Sequence, residues 1–97
     1  MQKLNAVCIN TRDNVVTAIE DIPEGGTVYY AINTELRSLI VKENVNFCHK
    51  IALKEIKKGE PIYKYGEQIG AAAQDIMPGQ HVHVQNIVSN RGRGDLC

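Results

Sequence analysis

Apolar residues recur along this chain with a period near two. Val7 and Ile9, Val28, Tyr30 and Ile32, Leu39 and Val41, Ile51 and Leu53, and Val82 and Val84 alternate with their neighbours in short, β-prone runs. That is the pattern of strands with one buried face. No segment keeps an apolar stripe at i, i+3, i+4 and i+7 over about ten residues, so no helix beyond two turns is expected. The pattern predicts strands near residues 3–10, 14–19, 27–33, 36–42, 49–54, 61–65, 68–73 and 81–88. Gly70 to Ile76 reads as a single alanine-rich turn or a strand continuation. Turns are expected at Arg12-Asp13-Asn14, Glu24-Gly25-Gly26, Lys57-Lys58-Gly59 and Met77-Pro78-Gly79, where Gly, Pro, Asn and Asp supply the backbone angles. The fold class is all-β.

One phrase recurs. Asp21-Ile22-Pro23-Glu24-Gly25-Gly26-Thr27-Val28 matches Glu55-Ile56-Lys57-Lys58-Gly59-Glu60-Pro61-Ile62, and both match Asp75-Ile76-Met77-Pro78-Gly79-Gln80-His81-Val82. The common form is an acid, Ile, two free positions, Gly, two more, then a β-branched residue or its equivalent. Ile anchors the turn, Gly takes the conformation other residues resist, and a strand begins. The spacing is too irregular for a solenoid and suits bent hairpins folded over one another. The phrase is scaffold.

Composition narrows the function. Ninety-seven residues with 43% apolar content make one domain with one core's worth of material. We read residues 1–88 as that domain and 89–97 as a polar tail, in which Arg91 and Arg93 suit a carboxylate or a partner subunit. Eleven basic against eleven acidic residues leave no net charge. That argues against a nucleic-acid partner, which demands excess positive charge, and gives no support for binding to anionic membranes. There is no apolar run of spanning length and no signal-peptide pattern at the start, so a cytoplasmic chain is expected. The cysteines, Cys8, Cys48 and Cys97, are odd in number and lack close pairs. They are expected to be reduced and not structural ligands.

Candidate chemistry falls in three runs. In His81-Val82-His83-Val84-Gln85-Asn86, alternation puts His81, His83 and Gln85 on one strand face. Two imidazoles at i and i+2, about 7 Å apart at the backbone, can lean onto one divalent metal. The alternative is an ordinary polar face of an antiparallel sheet, and two ligands alone leave a metal under-coordinated. In the second run, His49-Lys50 opens an apolar strand and could bind a carboxylate or move a proton. A plain strand-start dipeptide is the other reading. In the third, Tyr63-Lys64-Tyr65-Gly66-Glu67 places Tyr65 and Glu67 around a glycine where the backbone bulges or approaches another chain.

Read in order, His49-Lys50-Ile51-Ala52-Leu53, Ile56-x-x-Gly59, Ile62-x-Lys64-Tyr65-Gly66-Glu67-x-Ile69-Gly70 and His81-Val82-His83-x-x-Asn86 resemble the small amino-terminal domain of altronate dehydratases. Related versions occur in galactarate dehydratase and in the alpha subunit of sulfolactate sulfo-lyase. The resemblance covers about Asp13 to Asn86. It implies a SAF domain with a β-clip fold, working with a large dehydratase subunit encoded separately. It also implies β-elimination of water from a sugar-acid substrate, assisted by a divalent metal, Fe2+ or Mn2+, shared with that subunit. On this reading His49, Lys50, Tyr65 and Glu67 are catalytic, His81 and His83 hold metal, and Gln85 and Asn86 support them. Two departures stand out: Cys48 replaces the family's usual Gly before His-Lys, and Gln85 replaces a His. A sulfolactate sulfo-lyase alpha subunit and a non-catalytic β-clip binding module are the rival readings, and a homo-oligomer is compatible with each. The arrangement expected is that His49 and His83 face one surface patch together with Lys50 or Tyr65.

Overall fold

Two-residue loops with both residues at positive φ give the tightest hairpins, because their twist matches that of the flanking strands. The chain does this twice. In a computed structural model, which describes residues 4–8, 10–83 and 85–89, Asn33 and Thr34 (φ 50° and 68°) join β3 (Thr27–Ile32) to β4 (Glu35–Ile40). Tyr65 and Gly66 (φ 55° and 81°) join β6 (Pro61–Lys64) to β7 (Glu67–Ala72) in the same way. The other strands are β1 (Ala6–Val7), β2 (Val15–Ala18), β5 (Lys50–Ala52), β8 (His81–Val82) and β9 (Ile87–Ser89). All pairings are antiparallel, in sheets ordered β1-β2-β5-β8, β3-β4 and β6-β7-β9. The all-β class read from the periodicity is the class observed. No helix among the described residues is long and apolar enough to cross a membrane.

The recurring phrase is a tight turn, and the structure contains it four times. The amide of the fourth turn residue donates to the carbonyl of the first in Pro23–Gly26, Asn46–His49, Lys57–Glu60 and Met77–Gln80, at 2.8, 2.9, 2.9 and 3.1 Å. The third residue is at positive φ each time: Gly25, Cys48, Gly59 and Gly79, at 84°, 73°, 88° and 87°. That is the conformation a type II turn requires. Asn44-Val45-Asn46-Phe47-Cys48-His49 is therefore a copy that carries Asn for the acid, Val for Ile and Cys for Gly. The copies pair, Ile22 with Val45 and Ile56 with Ile76, through isolated bridges. Copies also cap one another: Asp21 Oδ1 accepts from the Phe47 amide, Asn44 Oδ1 from Glu24 and Asp75 Oδ1 from Lys58, at 2.8, 2.7 and 2.9 Å.

Behind this lies an internal duplication. Ala18-Ile19-x-Asp21-Ile22-x-x-Gly25 corresponds to Ala52-Leu53-x-Glu55-Ile56-x-x-Gly59, 34 positions on. Each half has one buried asparagine that pins its hairpin. Asn5 donates to Thr27 O and accepts from the Tyr29 amide, at 3.1 and 2.7 Å. Asn14 does the same with Pro61 O and Tyr63, at 3.0 and 2.8 Å.

Strand alternation gives each half its own core. Val16, Ala18 and Ile51 pack with Ile22, Val28, Val41 and Val45 on one face of the four-stranded sheet. Val15, Ala52 and Val82 pack with Ile56, Ile62, Ala72 and Ile76 on the other. Full burial of each Val or Ile side chain contributes about 1.5–3 kcal/mol.

Three expectations change. The strand read over 81–88 is two short strands, because His83–Asn86 closes a turn in which the Asn86 amide donates to His83 O at 3.0 Å. Ser89, read as tail, pairs with Gly70 in β9, and the rest of the tail, with Arg91 and Arg93, lies outside the described residues. Cys8 is a free thiol, but Cys48 is disulfide-bonded; an odd cysteine count still leaves room for one pair.

Candidate metal centre

The turns that build the scaffold also aim its imidazoles. His49 closes the Asn46–His49 turn and precedes β5, while His81 follows the Met77–Gln80 turn and opens β8. β5 and β8 pair antiparallel with Ile51 opposite His81. His49, two residues before Ile51, therefore shares the His81 face. The turn after β8 brings His83 back over them. It is held by Asn86, whose Oδ1 accepts from the His83 amide at 2.9 Å and whose Nδ2 donates to His81 O at 2.8 Å. All three histidines are half-buried, and a ligating nitrogen from each lies within 4.8 Å of the others.

The rings form an ordered array. His49 Nδ1 and His81 Nε2 are 2.7 Å apart, a hydrogen bond with one shared proton. Their planes differ by 4° with centroids 4.9 Å apart, the spacing of two imidazoles lying edge to edge in one plane, not one above the other. His83 instead stacks face to face on His49, with centroids at 3.8 Å and an interplanar angle of 10°. Gln85 Nε2 lies 3.2 Å from His81 Nδ1 and continues the line. Glu43 Oε2 accepts from the His81 amide at 3.1 Å.

Burial and neighbouring charge favour the neutral forms of His81 and His83. Burial lowers the His81 pKa below the usual 6.5; His49 and Lys50 push it further down, and the Glu43 carboxylate opposes them. Burial also lowers His83, aided by His49, Lys50 and His81. Neutral imidazoles have lone pairs free for a metal.

The donor set fits a divalent ion of intermediate softness. Three imidazoles suit iron or zinc, whereas manganese favours oxygen ligands. Donors around one such ion stand roughly 3 Å apart; the three nitrogens lie within 4.8 Å of one another, close to that spacing. His83 must turn out of its stack, since a ligated imidazole holds the metal in its own plane.

The other predicted site residues lie elsewhere. Lys50 is opposite Thr17 and Val82, on the second-core face, and is 2% exposed. Adjacent strand residues point to opposite faces, so the His49-Lys50 pair divides across the sheet. The Lys50 charge lowers the His81 and His83 pKa values from across the sheet, and the expectation of Lys50 within the patch is corrected. Tyr65 and Glu67 belong to the β6–β7 hairpin tip, where the Lys64 ammonium lies 4.8 Å from the Tyr65 ring centroid and the Gly66 amide donates to Asp13 Oδ1 at 2.7 Å. They sit on a different sheet from the imidazoles. Asn86 is a turn clamp. Sequence reasoning expected His49 and His83 on one surface patch, and the structure brings the two together with His81; it missed Glu43. It also missed the fourth turn phrase that positions His49, hidden by its Asn, Val and Cys; for Glu43 there was no signal.

Comparison with known proteins adds the context. A sequence model of the altronate/galactarate dehydratase SAF domain matches residues 4–90. The chain is similar to altronate dehydratase from Bacillus subtilis (strain 168), 42% identical over 83 residues, covering 84% of this chain and 16% of that protein. Altronate dehydratase from Escherichia coli (strain K12) is 38% identical over 82 residues, with the same coverage of 84% and 16%. The alpha subunit of (2R)-sulfolactate sulfo-lyase from Paracoccus pantotrophus is 39% identical over 59 residues, 61% of this chain and 87% of that subunit. The chain thus spans 16% of the length of the altronate dehydratases it matches.

Proposed function

The chain belongs to the altronate/galactarate dehydratase SAF-domain family, and from that membership we propose that it serves as the small, metal-holding part of a hydro-lyase. Its substrate class is a polyhydroxy acid, and it works with a large dehydratase subunit that supplies most of the catalytic walls. The observation that carries this reading is the convergence of His49, His81 and His83 at a sheet edge. β8 is the last strand of its sheet and two residues long, so a partner can close over the imidazoles without displacing a pairing.

Within that reading His49, His81 and His83 hold the ion, iron fitting their nitrogens better than manganese. A divalent cation there supplies Lewis acidity for loss of the α-proton and departure of the β-hydroxyl. Burial above all, then His49, and with them Lys50, lower the His81 and His83 pKa values and favour their neutral, ligating forms. Asn86 and Glu43 fix the backbone of the two ligand positions in β8 and its turn. The base, the acid and the substrate carboxylate site belong to the large subunit.

The test is reconstitution. Co-purified with a large dehydratase subunit and iron, the complex is expected to dehydrate altronate or galactarate, and the isolated chain to turn over neither. His83→Ala is expected to abolish metal retention while leaving the fold intact. Turnover by the isolated chain, or metal retention unaffected by His83→Ala, would overturn the proposal. Elimination of sulfite from sulfolactate is the second reading, favoured by the 87% coverage of the Paracoccus alpha subunit; including sulfolactate in the panel decides between them.

A further inference from the structure

A carboxamide can donate or accept a hydrogen bond, a carboxylate only accepts, and a neutral imidazole carries its single proton on one nitrogen or the other. These facts give Gln85 a role. It is exposed, and its side-chain amide meets His81 Nδ1, the nitrogen opposite the one bonded to His49. As placed, Gln85 Nε2–H donates to His81 Nδ1. His81 must then carry its proton on Nε2 and donate it to His49 Nδ1, which leaves the His49 proton on its own Nε2. The line Gln85, His81, His49 is a relay with a defined polarity.

We propose that Gln85 is a positioning residue that sets which nitrogen of His81 is protonated, and so whether the His49–His81 pair is closed by a hydrogen bond or open to a cation. This deepens, and in its metal-binding half rests on, the proposal that the imidazoles hold metal. In the closed polarity, His81 Nε2 and His49 Nδ1 share a proton and neither offers a second partner. In the open one, the His81 proton sits on Nδ1 and is donated to Gln85 Oε1 after the amide turns over. The lone pairs of His81 Nε2 and His49 Nδ1 then face each other with no proton between them. No proton is gained or lost; one moves from Nε2 to Nδ1 of the same ring. Partners of this kind on the far ring nitrogen of a ligating histidine govern its orientation and basicity. Gln suits the role because one side chain serves both polarities. Glu43 cannot substitute, since its bond goes to the His81 amide and not to the ring.

The test is nitrogen NMR of the side-chain imidazoles in the whole chain at neutral pH, first without metal. Wild type is expected to show His81 protonated at Nε2. Gln85→Glu, whose carboxylate only accepts, is expected to show it protonated at Nδ1. Gln85→Leu is expected to show exchange between the two forms, with backbone spectra otherwise unchanged. A His81 protonated at Nδ1 in wild type, or a tautomer indifferent to Gln85→Glu, would overturn the proposal. Titration with Zn2+ follows, with Gln85→Leu expected to bind about tenfold more weakly and Gln85→Glu to restore or exceed wild-type affinity. Equal affinity in all three would overturn the metal-binding half. If Zn2+ binds none of them while the metal-free spectra behave as expected, the metal reading of the site falls and the control of the His81 proton by Gln85 stands.

Discussion

Replacing a turn glycine by alanine separates two costs that usually come together. Gly25, Gly59 and Gly79 occupy the same position of the same turn at nearly the same φ, 84°, 88° and 87°. A Cβ added at Gly25 or Gly59 meets nothing within 4 Å, whereas at Gly79 it would lie 2.5 Å from Ile40 O and 3.3 Å from Lys42 Cγ. At the open sites the substitution costs only backbone strain, about 1–2 kcal/mol, offset by about 0.4–1 kcal/mol from the stiffer unfolded chain. The net is roughly 1 kcal/mol. At Gly79 the same strain applies, and the Ile40 carbonyl must also withdraw by about 0.9 Å to reach ordinary contact at 3.4 Å. That carbonyl is not free to move, because Lys42, two residues on, donates to Gly79 O at 2.8 Å and Gly79 itself donates to Ala52 O at 2.9 Å. Losing one of these bonds adds about 1–1.5 kcal/mol, and the displaced strand end adds more, for roughly 3 kcal/mol in all. With a denaturant slope near the lower end for small domains, about 1 kcal/mol per molar urea, Gly25→Ala and Gly59→Ala should lower the urea midpoint by about 1 M each. Gly79→Ala should lower it by about 3 M. Circular dichroism at the β-sheet band follows all three. Equal shifts would refute the argument, because they would mean that the contact with Ile40 contributes nothing.

Further outcomes follow from the same geometry. Asn5→Ala and Asn14→Ala each leave a part-buried carbonyl and a part-buried amide without their side-chain partner, so each should destabilise by about 1–3 kcal/mol, read by urea unfolding. The Cys8 thiol is pushed up from its usual 9.0 by burial first and then by Asp13, so the folded chain holds that proton more tightly than the unfolded one. The resulting stability is present below pH 9 and lost as pH rises through the folded value, and Cys8 should alkylate more slowly at pH 8.5 in buffer than in urea, read by peptide mass mapping. Zn2+ titration of His49→Ala, His81→Ala and His83→Ala should show loss of binding in each, with unchanged circular dichroism. Binding retained in any one would remove that residue from the centre.

Most of the fold was legible because β structure announces itself locally. Alternation at Val28, Tyr30 and Ile32 and turn residues at Glu24-Gly25-Gly26 each determine their own geometry, and the structure agrees with both. What escaped reading was non-local or disguised. The Asn46–His49 turn has Cys48 at a position where three other copies carry Gly, so composition gave no turn signal. Its positive φ is imposed by context, through the Val45–Ile22 bridge and the Cys48 amide bond to Ala18 O at 2.8 Å. The pairing of Asn5 with one hairpin and Asn14 with the other spans gaps of 22 or more positions that no window covers. Lys50 was misplaced for a different reason. Two polar residues in sequence invite reading as a pair, but strand alternation separates their side chains, and only burial on both faces of the sheet reveals which side each takes.

The duplicated frame explains why the imidazoles gather where they do. Each half alone contributes a sheet strand, a hairpin and two turn phrases, and neither would bring three histidines together. His49 ends the second phrase of the first half, and His81 follows the second phrase of the second half. Pairing β5 with β8 sets those two ends side by side, so the centre exists only where the halves meet in one sheet. The frame is repeated while the chemistry is not, since the position matching His49 in the later half is Gln80 and the one matching His81 in the earlier half is Lys50. Repetition secures the backbone, with glycine or its substitute at each turn, and leaves the residue after each turn free to vary. A site at such a seam is held by two paired strands and the turns that enter them, and its sheet ends at β8.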